Sequence, residues 1–186
     1  MMSGKEAAMK ILCQDDYQTM PWKNGGGVTH EVAYSPSRDD FAWRLSVAEV
    51  AISGPFSKFE GMRRVLTVIK GVGLNLVSNS GTQSAMHQVP TSFCGSTELY
   101  GQLLDGPIRD FNLIFDPKRV EASVNILSGT GLIDLSAANT TAIYAVTGDF
   151  DLGGLRAVAG NTIFGSSTAP LTEFNTSGWA IAVQLT

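Results

Sequence analysis

Short runs of alternating apolar and polar residues, separated by Gly, Pro, Asn and Ser, fill most of this chain. In the run Arg64 to Lys70, Val65, Thr67 and Ile69 fall on one face. Arg64, Leu66, Val68 and Lys70 fall on the other, which is the two-residue period of a strand. Phe41 to Ile52 is dense in β-branched and aromatic residues and predicts a second strand, joined to the first by a Gly-Pro-Phe turn. Val28 to Tyr34, Gly71 to Val77, Glu98 to Leu104 and Ile108 to Phe115 read as further strands. Pro36 to Asp40 and Gly106-Pro107 read as turns, and Ser78 to Ser84 as a polar loop. Within Ile108 to Phe115, Asp110 and Asn112 share one face, and Phe111 and Leu113 the other.

The remainder of the chain carries shorter runs of the same kind. Val120 to Leu127, Gly131 to Leu135, Ala142 to Val146, Phe150 to Leu152, Leu155 to Val158, Thr162 to Phe164 and Trp179 to Leu185 are all β-prone. Residues 4–12 fit a short helix or an arm strand, and no helical period follows residue 16. Many short strands with regular turns predict an all-β sandwich or barrel. A weak repeat sharpens this. Val65 to Gly71 followed by Leu74 to Leu76 can be laid on Ala142 to Gly148 followed by Phe150 to Leu152. Two tandem antiparallel β-barrels follow, residues 1–118 with the pocket and 119–186 packed on the first; a single long-stranded barrel is the alternative.

Composition narrows the class. The chain has 186 residues, 44% of them hydrophobic and 16% charged, which suits a well-buried globular protein and not a disordered one. A net charge of −4 without a basic cluster gives no field for nucleic acid or an anionic membrane. No apolar run reaches a membrane span and the N-terminus has too short an apolar run for a secretory signal, so the cytoplasm is expected. Cys13 and Cys94 are expected to be free, mostly buried thiols. With only His30 and His87 besides, no multi-histidine metal site can be built. The charge-poor C-terminal third fits a packed core or an interface, and admits a homodimer.

Candidate chemistry gathers on the first half. Arg44 and Arg64 stand inside apolar strands, where a guanidinium is costly unless a carboxylate or ligand pairs with it. Three glycines, Gly25 to Gly27, follow Trp22, Lys23 and Asn24, which fits either a tight turn or a loop with Trp22 as pocket wall and Lys23 and Asn24 as polar contacts. No phosphate-cradling glycine motif is present.

The runs PWKNGGGVTHE (Pro21 to Glu31), FAWRLSVAEV (Phe41 to Val50), GPFSKFEG (Gly54 to Gly61), RVLTVIKG (Arg64 to Gly71) and LLDGPIRDFNLIF (Leu103 to Phe115) resemble the HutD/Ves family, in order and spacing. The resemblance implies an RmlC-like bicupin. One branch is tied to control of histidine utilisation, the other to stress response, and neither brings a catalytic assignment. Laid on a metal cupin's pattern with Gly71 as anchor, the usual ligand positions fall on Ser57, Phe59, Arg64 and Glu98. Arginine cannot give up its proton to bind a cation, and one carboxylate with a serine is a poor transition-metal set. A pocket with no metal and no cofactor is expected. Arg64, helped by Arg44 and Lys23, suits a carboxylate. Glu49, Glu98 and Asp110 can pair with these cations or accept a ligand's N–H.

The candidate ligand-binding residues are therefore Trp22, Lys23, Asn24, Arg44, Ser46, Glu49, Ser57, Phe59, Arg64, Glu98, Asp110 and Asn112. The expected partner is a small anionic metabolite such as urocanate or a formylated or formimino-glutamate. The competing readings are a metal-free isomerase, lyase or hydrolase on such a carboxylate, and an Arg-carboxylate network that only holds the barrel shut.

Overall fold

The computed structural model describes residues 8–186, whose regular structure is β apart from one short 3-10 turn, Gln14–Asp16. Of residues 4–12, expected as a short helix or an arm strand, 4–7 lie outside the described residues, and the rest contains a strand, β1 (Lys10–Leu12). The chain then runs through β2 (Gln18–Pro21), β3 (Gly27–Pro36), β4 (Phe41–Val50), β5 (Gly54–Pro55) and β6 (Arg63–Lys70). Next come β7 (Gly73–Ser78), β8 (Gly81–Met86), β9 (Thr91–Cys94), β10 (Tyr100–Leu103) and β11 (Ile108–Phe115). The last third holds β12 (Ala122–Ile133), β13 (Thr140–Thr147), β14 (Phe150–Leu152), β15 (Leu155–Ala157), β16 (Thr162–Gly165) and β17 (Thr172–Leu185).

Two units form. Residues 17–120 make one; residues 8–16 with 121–186 make the other. Residues 8–16 thus fall outside the N-terminal unit in which the sequence placed them, because β1 pairs antiparallel with β16, Lys10 opposite Phe164.

The 17–120 unit has two antiparallel sheets, ordered β2-β3-β4-β11-β6-β9 and β5-β10-β7-β8. Their facing sides enclose one apolar core: Ala48, Val50, Leu66, Val68 and Ile108 from the larger sheet, and Leu74, Leu76 and Ala85 from the smaller. The strands on either side of the Gly-Pro-Phe segment are not neighbours. β11 lies between β4 and β6, and β5 joins the other sheet against β10. A turn signal shows where the chain reverses, not which strands pair across it. The loop expected at Ser78 to Ser84 is instead the turn into β8, an edge strand on which Gly81 to Ser84 are exposed and only Ala85 faces the core. A strand with so little buried surface carries no hydrophobic alternation to read.

In the other unit β12 and β17 run side by side almost throughout, replacing the two separate runs expected from Val120 to Leu135. The register shifts between Ser128 and Thr130. There Gly129, at φ +65°, takes the left-handed backbone a bulge needs. β17 pairs with β14 near its start and with β13 toward its end, so one long strand serves both sides of a core containing Ile143, Phe150, Ile163 and Phe174. The strand pairings of the two units correspond. β6 lies between β9 and β11, as β13 lies between β16 and β17. β7 lies between β8 and β10, as β14 lies between β15 and β17.

Candidate functional site: an arginine-rich cavity

One face of β3, β4, β11 and β6 supplies the floor of a cavity of about 620 Å³ in the 17–120 unit. Cross-strand register decides which side chains meet there. Ser46 stands opposite Glu31 on one side and Asn112 on the other. Ala48 stands opposite Thr29 and Asp110, and Ile114 lies between Arg44 and Arg64. Residues 44, 46 and 48 share a face of β4, so polar groups from three strands converge on one end of the core.

Arg64 is buried, at 6% exposure. Its Nη2 donates to Asn112 Oδ1 at 2.9 Å and its Nη1 to the Ser57 carbonyl at 3.3 Å; its Nε has no acceptor. Three rings surround the guanidinium, with centroids 5.2 Å (Phe56), 5.5 Å (Phe59) and 5.1 Å (Phe93) from its carbon. Ring faces attract a cation that has lost its water, which offsets part of the cost of burial. Burial still pulls the guanidinium down to about 10, against Asp110, which raises it; Arg44 nearby lowers it further. At neutral pH it remains charged.

Asp110 lies on the cavity floor, fully buried. Its Oδ1 accepts from Asn112 Nδ2, while Oδ2 has no protein partner. Burial pushes its carboxyl up to about 7, with Arg64 acting the other way. Arg44 sits 2.8 Å through Nε from Glu31 Oε2, and Arg38 reaches the other oxygen of the same carboxylate. Glu31 is therefore a buried anion held between two guanidiniums.

The rim comes from the glycine-rich loop. Trp22 Nε1 donates to Thr29 Oγ1 at 2.8 Å, and Asn24 Oδ1 accepts from the Gly26 amide at 3.0 Å. Gly27 makes the close approach possible: a Cβ there would lie 2.3 Å from the Glu49 carbonyl and 3.1 Å from the Trp22 ring. Lys23 completes the polar rim.

Trp22, Lys23, Asn24, Arg44 and Ser46 line the cavity as the sequence predicts, as do Ser57, Phe59, Arg64, Asp110 and Asn112. Glu49 and Glu98 do not. Glu49 lies on the opposite face of β4, half exposed, beside Arg109 and His30. Glu98, at 84% side-chain exposure, faces Lys58 on the surface. An odd residue on β4 cannot share the face of Arg44, and Glu98 belongs to the loop before β10. His30 meets Thr19 and Glu49, and His87 lies outside the lining. Both cysteines are exposed and free, contrary to the expected burial, because Cys13 lies beyond the end of β1 and Cys94 ends an edge strand.

The sequence missed Glu31 and the apolar walls Met20, Pro55, Phe56 and Ile114. Phe56 carried a signal in the Gly-Pro-Phe turn. Glu31 falls two residues after Thr29 on the same face of β3, ahead of the bulge between Glu31 and Ala33, but nothing local shows that Arg44 and Arg38 meet it there.

The donors present do not suit a metal. The lining offers one carboxylate, Asp110, with two guanidiniums beside it whose charge opposes a cation.

The comparisons agree with one another. A 142-residue stretch is 38% identical to an uncharacterized 21.2 kDa protein in the hutC 3' region of Pseudomonas putida, covering 75% of this chain and 74% of that protein. Protein Ves of Escherichia fergusonii is 31% identical over 144 residues, 74% of each. HutD from Pseudomonas fluorescens SBW25, solved in a formate condition, superposes with a TM-score of 0.86 at 33% identity, over 96% of this chain and 98% of that one. The Escherichia coli protein Ylba shares the fold alone, at 12% identity and a TM-score of 0.71, over 98% of this chain and 92% of that one. The HutD family model matches residues 14–176, and the chain belongs to the HutD family.

Proposed function

We propose that this chain is a cytoplasmic bicupin whose N-terminal barrel binds a small anionic metabolite without a metal. The matching strand pairings of the two units support the duplicated barrel. The observation that carries the binding role is Arg64, a buried guanidinium opening on a cavity of about 620 Å³ with an unsatisfied Nε. Arg44 and Lys23 line the same space. A planar guanidinium against aromatic walls fits a carboxylate, and the volume fits a molecule of metabolite size. Relatives named for a hut region and for HutD direct attention to acids of histidine breakdown. Urocanate and formylated or formimino-glutamate are the first candidates, with control of that pathway as the role.

Calorimetric titration of these acids and of formate, with divalent metals alongside, tests the reading. One acid is expected to bind wild type and to lose at least about tenfold in Arg64→Ala, the scale of a charge-assisted hydrogen bond. Tight metal binding, or affinity indifferent to Arg64, sinks it.

A second reading has one observation behind it. A carboxyl at about 7 is poised for general acid or base work. A metal-free isomerase, lyase or hydrolase would then turn these acids over. NMR of the incubated acids decides: turnover lost in Asp110→Asn with binding retained favours the enzyme.

A further inference from the structure

Asp110 is the carboxylate of the cavity lining, and it is 1% exposed. Asn112 links it to Arg64 by accepting from the guanidinium through Oδ1 and donating to Asp110 Oδ1 through Nδ2. That relay fixes the orientation of the Asn112 amide and occupies Oδ1 of Asp110. Oδ2 is left without a partner in the protein. Buried carboxylate oxygens are nearly always satisfied, because burial removes the water bonds and nothing else offsets the loss. The other charged groups of the lining are cations: Lys23, Arg44 and Arg64. Arg44 already has its counter-charge in Glu31. The cavity therefore has a cationic pole and an acceptor pole, separated by one carboxamide.

We propose that the occupant is a carboxylate that also bears an N–H group: its carboxylate meets Arg64, and its N–H donates to Asp110 Oδ2. Asp110 is then the residue that selects such acids over those with an ether or ester oxygen at the same place. This rests on the anion-binding reading above and defines the second pole of the ligand.

The test uses two matched pairs of acids, each differing only by N–H against O. One pair is 3-(pyrrol-2-yl)acrylate and 3-(furan-2-yl)acrylate; the other is N-acetylglutamate and 2-acetoxyglutarate. They are titrated into wild type, Asp110→Asn and Arg64→Ala. In wild type the N–H member of at least one pair is expected to bind about tenfold tighter or more. Asp110→Asn keeps an oxygen to accept from Asn112 but puts an NH2 donor where Oδ2 was, so the preference is expected to vanish or reverse.

Should that variant fail to fold, wild type alone decides. Its preference is expected to shrink as pH falls from about 8 to about 6 and Oδ2 takes up its own proton, in a lining whose other charged groups are Lys23, Arg44 and Arg64. Equal affinities within both pairs, abolished by Arg64→Ala, overturn this inference and leave the anion site standing. An unchanged preference in folded Asp110→Asn does the same. Failure of all four acids to bind, or binding indifferent to Arg64, overturns both.

Discussion

Arg64 and Asp110 are poorly placed for stability and well placed for a ligand. A guanidinium pulled down to about 10 by burial is a destabilised cation. Arg64→Met keeps the length and removes the charge, and three phenylalanine rings already surround the position. Its melting temperature is expected to equal or exceed that of wild type while acid binding is lost; differential scanning calorimetry beside titration checks both. Glu31 has the opposite character. Glu31→Gln leaves Arg44 and Arg38 facing each other without their shared anion. It is expected to cost about 1 to 3 kcal/mol in urea denaturation, less than a fully buried pair because both arginines are partly exposed.

Asp110 links the site to pH. Its folded carboxyl lies near 7, above the ordinary carboxylate value, so the folded protein holds a proton that the unfolded chain has released. That contribution is fully present below the unfolded value and is lost as pH rises through about 7. Melting temperature followed from about pH 5 to about pH 8 should therefore fall more in wild type than in Asp110→Asn. Parallel curves would remove Asp110 from this role.

Among the elements, the contact of β3 and β4 around the loop sets the mouth of the cavity. Gly27→Ala has nowhere to place its methyl, with a backbone carbonyl at 2.3 Å and the Trp22 ring at 3.1 Å. It is expected to cost about 1 to 3 kcal/mol, the usual range for overpacking, and to shift Trp22 fluorescence as the ring moves. Wild-type stability and spectrum in this variant would show that β3 can yield. The same strand carries Glu31 on the face of Thr29, and what escaped notice there is its pairing with Arg44 and Arg38, which the alternation of β3 does not encode.

For the whole molecule, the site belongs to one unit. Every residue of the cavity lining falls within residues 17–120, while Phe150 stacks on Phe174 in the core of the other unit with ring centroids 5.5 Å apart. Phe150→Ala is expected to destabilise by about 3 to 5 kcal/mol. Below its melting transition, acid affinity should match wild type; a weaker affinity in the folded variant would show that the cavity depends on that core.

The sequence by itself determined the all-β class, most strand positions and the family, because alternation and turn residues act over a few neighbours. It also singled out Arg64, Arg44 and Asp110, which line one cavity, since a charge on an otherwise apolar strand face is visible without knowing the fold. Only the tertiary structure decided that β11 lies between β4 and β6, which puts Asn112 against Arg64. The pairing order of strands comes from long-range hydrogen bonds that no local pattern encodes. Only the tertiary structure, likewise, sent Glu49 to the far face and Glu98 to the surface, brought Glu31 to Arg44, and paired β1 with β16. A carboxylate reads the same along the chain wherever it points; register, bulge and pairing decide what it meets.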